Sequence, residues 1–138
     1  MADTIRDVMT QNPVTVEASA TVQEAAKLMA REDIGNVLVV ENGEVQGIVT
    51  DRDIVVRLLA EGQGPDASVR EAASTGLATL SPDDSVDDAI RKMEQTDVRR
   101  LPVVEDGKPV GIVTLGDLAV EKDTDSALAD ISAASPNN

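Results

Sequence analysis

Two copies of one seven-residue motif hold the polar groups of this sequence that are best placed to do chemistry. Each copy, residues 47–53 and 111–117, reads Gly, two apolar residues, Thr, two variable residues and Asp. A Thr that ends a strand can cap the following helix, and an Asp three residues later suits the helix dipole. The same arrangement offers free N–H groups to a phosphate and a carboxylate to the hydroxyls of a ribose. The pattern therefore predicts helix caps or nucleotide sites, built on Thr50 and Asp53 and on Thr114 and Asp117.

The composition excludes most other chemistry. The chain has 138 residues, of which 26 are acidic and 12 basic, and its formal net charge is −14. It contains no Cys, His, Phe, Tyr or Trp, which removes thiol and imidazole nucleophiles, thiolate and imidazole metal ligands, and aromatic stacking of bases. So acidic a chain disfavours binding to nucleic acid or to an anionic membrane.

The carboxylates do not form a recognisable catalytic or metal-binding pattern. None is spaced with a base or a nucleophile, so we expect no catalytic residues and no enzyme activity. Acidic pairs such as Asp83-Asp84 lack the spacing of a calcium-binding loop and are interpreted as solvated helix starts. The first residues have neither the basic nor the apolar segment of a signal peptide. We therefore expect a cytoplasmic protein.

The chain is an internal repeat. When residues 9–54 are laid over residues 73–118, an offset of 64 with no gap, fourteen of the 46 pairs are identical. We therefore expect one unit at residues 1–60, a linker at 61–68 and a second unit at 69–122. Residues 123–138 are expected to be a tail that is either a weak helix, at 126–133, or disordered.

Each repeat is expected to have the element order β-α-β-β-α. The first strands are predicted at Val14–Val16 and Ala78–Leu80. Helices follow behind the capping-box residues Thr21 and Ser85, with the apolar stripes Val22, Ala25, Ala26 and Met29, and Val86, Ala89, Ile90 and Met93. The runs 37–40 and 101–104 then lead through the turns Asn42-Gly43 and Asp106-Gly107 into strands at 45–50 and 110–114. Second helices are predicted to begin at Asp51 and Leu115.

Several segments together resemble one known family. They are Val8-Met9-Thr10, Pro13–Val16, Val98–Val104 and the two Gly-Ile-Val-Thr-x-x-Asp blocks. In these the chain resembles a tandem pair of cystathionine-β-synthase (CBS) domains, also called a Bateman module, of the small stand-alone bacterial hypoxic-response type. The resemblance implies an α/β fold of two β-α-β-β-α units packed about a pseudo-twofold axis. It also implies a homodimer that acts on an unidentified protein effector.

The resemblance further implies two unequal ligand clefts between the paired units. Family members bind AMP, ADP, ATP, S-adenosylmethionine or NAD(H); the motif Asp holds the ribose, the motif Thr contacts ribose or phosphate, and the other unit's first strand receives the adenine. By position, the first cleft comprises Thr50, Asp53, Thr79, Arg99 and Arg100. The second comprises Thr114, Asp117, Thr10, Thr15, Val16, Gly35 and Asn36.

Only the first cleft has cationic side chains, so we expect a nucleotide whose phosphates are engaged to bind there. The alternative is that the two arginines form salt bridges with acidic residues. Hypoxic-response relatives can bind metal through Cys and His, which this chain lacks, so no metal role carries over. The expected function is a regulatory sensor of an adenosine compound, with no required cofactor. The alternative is a dimeric scaffold that binds no nucleotide.

Overall fold

A computed structural model describes residues 4–122, which form two compact packing units. Residues 13–77 make up the contiguous unit, and residues 4–12 with 78–122 make up the split unit. In chain order the elements are α1 (Ile5–Val8), β1 (Thr10–Gln11), β2 (Thr15–Glu17), α2 (Val22–Glu32), β3 (Asn36–Glu41), β4 (Glu44–Thr50), α3 (Asp51–Asp53), β5 (Ser74–Thr75), α4 (Val86–Thr96), β6 (Arg100–Glu105), β7 (Lys108–Thr114) and α5 (Leu115–Lys122). A π turn at Ile54–Leu58 and a 3₁₀ turn at Leu59–Glu61 follow α3, and a further 3₁₀ turn spans Val69–Glu71. The predicted tail and its weak helix lie outside the described residues.

The contiguous unit is built on a four-stranded sheet of order β2-β3-β4-β5. Strand β2 is parallel to β3, and the other pairs are antiparallel. The predicted hairpin turn between β3 and β4 is confirmed, because Asn42 and Gly43 have positive φ angles of 56° and 80°, as a tight two-residue turn requires. The buried core consists of Val16, Ala18, Val22, Ala25, Met29, Val37, Val39, Val49, Ile54, Leu58, Val69 and Ala72.

The split unit is built on an antiparallel sheet of order β1-β7-β6. Its hairpin turn is the predicted one, with φ angles of 55° at Asp106 and 80° at Gly107. Its core is separate from that of the contiguous unit. The buried members are Ile5, Leu80, Val86, Ala89, Met93, Leu101, Val103, Val113 and Leu118.

The strand predicted at residues 78–80 is absent, and only an isolated bridge forms at Leu80. The cause is Pro102. At the equivalent position of the contiguous unit, the Leu38 N–H donates to the Val14 carbonyl over 3.0 Å. Proline has no N–H to donate, so this ladder hydrogen bond cannot form in the split unit.

The two long helices bury the predicted stripes with one exception. Both begin behind a hydroxyl cap: Thr21 Oγ1 accepts from the Glu24 N–H at 3.2 Å, and Ser85 Oγ accepts from the Asp88 N–H at 3.0 Å. The first, second and last stripe positions of each helix are buried. Ala26 is exposed and its counterpart Ile90 is only partly buried, so the prediction for Ala26 was wrong. The buried stripe is narrower than predicted because a helix on a sheet covers only the side chains that point directly at it.

Each unit contains the first segment of the repeat that forms most of the other unit. In the split unit Thr10 of β1 lies opposite Ile112, and in the contiguous unit Ser74 of β5 lies opposite Ile48, which is the same register after the offset of 64. The segments end at equivalent residues with positive φ, Asn12 and Gly76. The bounds of the packing units therefore differ from those of the sequence repeats by this exchange.

The predicted linker, residues 61–68, lies within the contiguous unit and is hydrogen-bonded to the start of α2. The Val22 N–H donates to the Ala67 carbonyl at 2.8 Å, and the Gln23 N–H donates to the Pro65 carbonyl at 3.1 Å. These N–H groups lie in the first turn of α2, where no intrahelical acceptor exists. The segment thus completes the N-terminal cap of α2. Within residues 4–122, no helix is long and apolar enough to cross a membrane.

The cap of α4 leads to a pH-dependent prediction. Hydrogen bonds from the Ser85 side chain and backbone, with a smaller contribution from Arg91, hold the pKa of the Asp88 carboxyl below its usual value. A folded-state pKa that is depressed stabilises the protein above the unfolded-state pKa of about 3.9, and this stabilisation is lost as the pH falls through the folded-state pKa. In an NMR titration, we expect Ser85→Ala to raise the Asp88 pKa more than Arg91→Gln does. A larger effect of Arg91→Gln would contradict this assignment.

Candidate ligand-binding site

Both copies of the motif form a reciprocal capping box. The Asp53 N–H donates to Thr50 Oγ1 at 3.0 Å, and the Thr50 N–H donates to Asp53 Oδ2 at 3.0 Å. In the split unit the two corresponding bonds, between Thr114 and Asp117, are both 3.1 Å long. The helix-cap interpretation is therefore confirmed in both copies.

The capping box leaves acceptor capacity for a ligand. An ionised carboxylate has two oxygens with about four lone-pair positions, and the cap uses Oδ2 of each motif Asp once. Oδ1 of each Asp is outside the cap, and the side chain of Asp53 is 18% exposed. Capping a helix and holding the two hydroxyls of a ribose are thus compatible roles for the same residue.

The helix that begins at the motif differs between the units. In the split unit α5 is regular over Leu115–Lys122. In the contiguous unit α3 lasts only three residues and passes into the π turn. Such π turns are rare in proteins, and those that occur often lie at functional sites. The two motifs therefore have equal caps, but the helices behind those caps are unequal.

Each motif lies beside the start of the preceding strand of its own unit. Asn36 is the cross-strand neighbour of Thr50, and Arg100 is that of Thr114. The backbone carbonyls one residue earlier hold the helix starts. The Gly35 carbonyl accepts from the Asp51 N–H at 3.0 Å, and the Arg99 carbonyl accepts from the Leu115 N–H at 2.7 Å.

The remaining predicted site residues divide between the units. Thr15 and Val16 lie in β2 of the contiguous unit, Thr10 lies in β1 of the split unit, and Thr79 precedes the bridge at Leu80. Within each unit, therefore, Thr50 and Asp53 lie with Gly35 and Asn36, and Thr114 and Asp117 lie with Arg99 and Arg100. The predicted clefts combine residues from both units, and that grouping stays a prediction.

Two residues near these positions were not predicted from the sequence. Arg57 approaches Asp53, with 3.8 Å between Nε and Oδ1; their i, i+4 spacing is a readable signal. Lys92 Nζ donates to the Thr79 carbonyl at 2.7 Å, where the contiguous unit has strand β2. The equivalent residue of the contiguous unit is Leu28, which has no donor, so the repeat gives no signal for this bond. Among residues 4–122 no cluster of three potential metal ligands occurs.

Two β-α-β-β-α repeats, each ending in a hairpin and a Thr-capped helix, define the class of protein. A family model described as the CBS domain matches residues 5–60 and 69–122. The chain therefore belongs to the CBS domain family, as its resemblance predicted. CBS domains are typically regulatory or signal-transduction modules.

Individual relatives narrow the comparison. The chain is 43% identical over 132 residues to the CBS domain-containing protein YhcV of Bacillus subtilis, covering 93% of this chain and 94% of YhcV. It is 35% identical over 118 residues to Hypoxic response protein 1 of Mycobacterium tuberculosis, covering 84% and 82%. Among solved structures, the CBS domain pair of protein MJ0100 in complex with 5′-methylthioadenosine and S-adenosyl-L-methionine has a TM-score of 0.78, 27% identity, and coverage of 89% and 98%.

Proposed function

We propose that this protein is a regulatory sensor of an adenosine-containing compound. The observation that carries the proposal is the Thr–Asp capping box, which both units form with the same hydrogen bonds and which leaves Oδ1 of each Asp outside the cap. The similar CBS pair of MJ0100, solved with two adenosine compounds, supports the same ligand class. In this role Asp53 and Asp117 accept from the ribose hydroxyls, and Thr50 and Thr114 orient the helix start.

Calorimetry tests the proposal directly. We expect saturable binding of at least one of AMP, ADP, ATP, S-adenosylmethionine and NADH by the wild-type chain. Asp53→Asn and Asp117→Asn keep an oxygen for the cap and remove the charged acceptor, so the affected site should lose about ten- to a hundredfold in affinity. Asp51→Asn, in the same motif but outside the capping box, is the matched control. Binding unchanged in both motif variants would contradict the assignment of these residues.

A nucleotide-free dimeric scaffold is the second candidate function. The observation that favours it is that the capping hydrogen bonds alone account for Thr and Asp at both motifs. The two functions differ in thermal unfolding, because a ligand at about 100 times its Kd stabilises the folded chain by about 2.7 kcal/mol. No stabilisation by any compound of the panel would favour the scaffold.

The same calorimetry separates ribose from phosphate recognition. Arg99 and Arg100 are proposed to contact the phosphates of the ligand. Arg100→Ala should then weaken AMP far more than adenosine, since charge-assisted bonds to phosphate are lost only from the nucleotide. Equal losses of affinity for the two ligands would show that the arginines do not contact the phosphates. That result would favour their alternative role in salt bridges.

We further propose that the protein is a homodimer that associates through the irregular helix after α3. Val55, Val56 and Leu59 are 55%, 47% and 57% exposed, and a cluster of exposed apolar side chains is typical of an interaction surface. One solved relative, a cyanobacterial CBS-CP12 protein, is described as hexameric. Light scattering should give a dimer mass for the wild type and for the control Leu115→Glu, and a monomer mass for Leu59→Glu. A dimer in all three would contradict this interface.

The remaining features of the proposal rest on composition. With a net charge of −14 and no aromatic residue, the chain is proposed to act without nucleic acid, membrane or required cofactor. It is proposed to be cytoplasmic and not an enzyme. Ligand binding would act on a protein effector by changing the surface that the protein presents. Such a change requires that two conformations of the protein differ in their affinity for the ligand.

A further inference from the structure

Arg57 contacts two parts of the contiguous unit that are distant in sequence. Its Nε lies 3.8 Å from Asp53 Oδ1. Its Nη1 donates to the carbonyl oxygens of Ala72 and Ala73, at 3.3 and 3.4 Å. These carbonyls directly precede β5, the strand that the second repeat contributes to this unit. One guanidinium therefore contacts both the motif carboxylate and the exchanged segment.

The connection depends on the shape of arginine. A guanidinium carries five N–H donors in a rigid plane, so it can face a carboxylate and two carbonyls at once. A lysine ammonium is a single point on a flexible stem and cannot span the same groups. Because Asp53 and the two carbonyls fix the guanidinium from different sides, restraint of one end restrains the other.

The split unit lacks this connection by sequence. Position 121, four residues after Asp117 and equivalent to Arg57, is a glutamate. The two motifs therefore form the same capping box but differ in the residue four positions after the Asp, which is arginine only after Asp53.

We propose that Arg57 is a positioning residue that couples the Asp53 site to β5, an inference that rests on Asp53 receiving the ligand. Hydroxyls that donate to Asp53 hold its carboxylate in place without removing its charge. A carboxylate held in this way holds Arg57, and Arg57 then holds the Ala72 and Ala73 carbonyls more persistently. Ligand binding consequently slows the opening of β5 from β4, with no need for a change of fold.

Hydrogen exchange of the full chain tests the coupling, first without ligand. The readout is the peptide that contains residues 74–77. Asp53→Asn and Arg57→Gln should each speed its exchange by about twofold, the scale of an exposed i, i+4 ion pair. The double variant should exchange no faster than Arg57→Gln alone, because both changes break one connection. Arg52→Gln removes the same charge from a side chain with no ion pair among residues 4–122, and should leave this peptide unchanged.

The second stage adds AMP at saturation, or whichever compound of the panel binds. We expect slower exchange of residues 74–77 in the wild type and in Arg52→Gln, and no slowing in Arg57→Gln. Additive single effects without ligand would overturn the coupling, whatever binds. Binding that leaves this peptide unchanged in the wild type would also overturn it. Absence of binding by the whole panel would instead overturn the proposed function, and the ligand step of this inference with it.

Discussion

Gly47→Ala is expected to destabilise the protein by about 1–3 kcal/mol or more, the usual cost of forcing an extra carbon into a packed site. An alanine Cβ at this position would lie 2.4 Å from the Ser74 carbonyl oxygen of β5. A backbone carbonyl cannot move aside without breaking the pairing of β5 with β4. Glycine is required here because the exchanged strand approaches the main chain so closely. Urea unfolding measures the loss.

Two other glycines provide graded controls. A Cβ at Gly111, the equivalent residue of the split unit, would meet the Met9 side chain at 2.5 Å and the Thr10 carbonyl at 2.9 Å. Because the thioether can swing away, Gly111→Ala should cost less than Gly47→Ala. A Cβ at Gly64 would meet nothing within 4 Å, so Gly64→Ala should have little effect. Equal stability of the Gly47 and Gly64 variants would show that β5 does not lie on β4.

The second large effect is expected from Ile5→Ala. Ile5 is fully buried in the core of the split unit, although it belongs to the first repeat. Loss of a buried isoleucine side chain costs about 2–5 kcal/mol, because the transfer free energy is lost and a cavity remains. The exposed Lys27→Ala, on α2 and outside the proposed dimer interface, should cost less than about 0.5 kcal/mol. Chemical unfolding of both variants measures the difference.

The location of the Ile5 effect is as informative as its size. Hydrogen exchange should accelerate in residues 78–122 and remain nearly unchanged in residues 13–77, which have a separate core. Val69→Ala, the equivalent change in the second repeat, should do the reverse, because Val69 is buried in the contiguous unit. Acceleration within residues 13–77 by Ile5→Ala would contradict the exchanged packing.

The features that could be predicted from sequence are those set by neighbouring residues. The Asn42-Gly43 turn needs positive φ at both positions, and only a few residue types adopt it, so its sequence specifies its shape. The Thr50–Asp53 capping box is likewise complete within four residues. The family could also be identified, because its motifs occur twice at one spacing.

The features that could not be predicted depend on distant partners. A two-residue edge strand such as β5 has too little pattern to specify which sheet it joins, so the exchanged segments were assigned to their own repeats. The strand predicted at 78–80 is reduced to a bridge at Leu80 by Pro102, which lies more than twenty residues away. In the candidate site, the Asp53–Arg57 pair was readable from its spacing, whereas the link from Arg57 to the Ala72 carbonyl depends on the exchange itself.

The exchange also sets an order for folding during synthesis. Residues 13–77 are continuous, so the contiguous unit can close as soon as they leave the ribosome. Residues 4–12 emerge earlier, but their place in the split unit exists only after residues 78–122 have been made. At about 5–20 residues per second, the 110 residues from 13 to 122 take about 6–22 s to make. For those seconds Ile5, Val8 and Met9 have no core to enter, so residues 4–12 are accessible to chaperones and proteases.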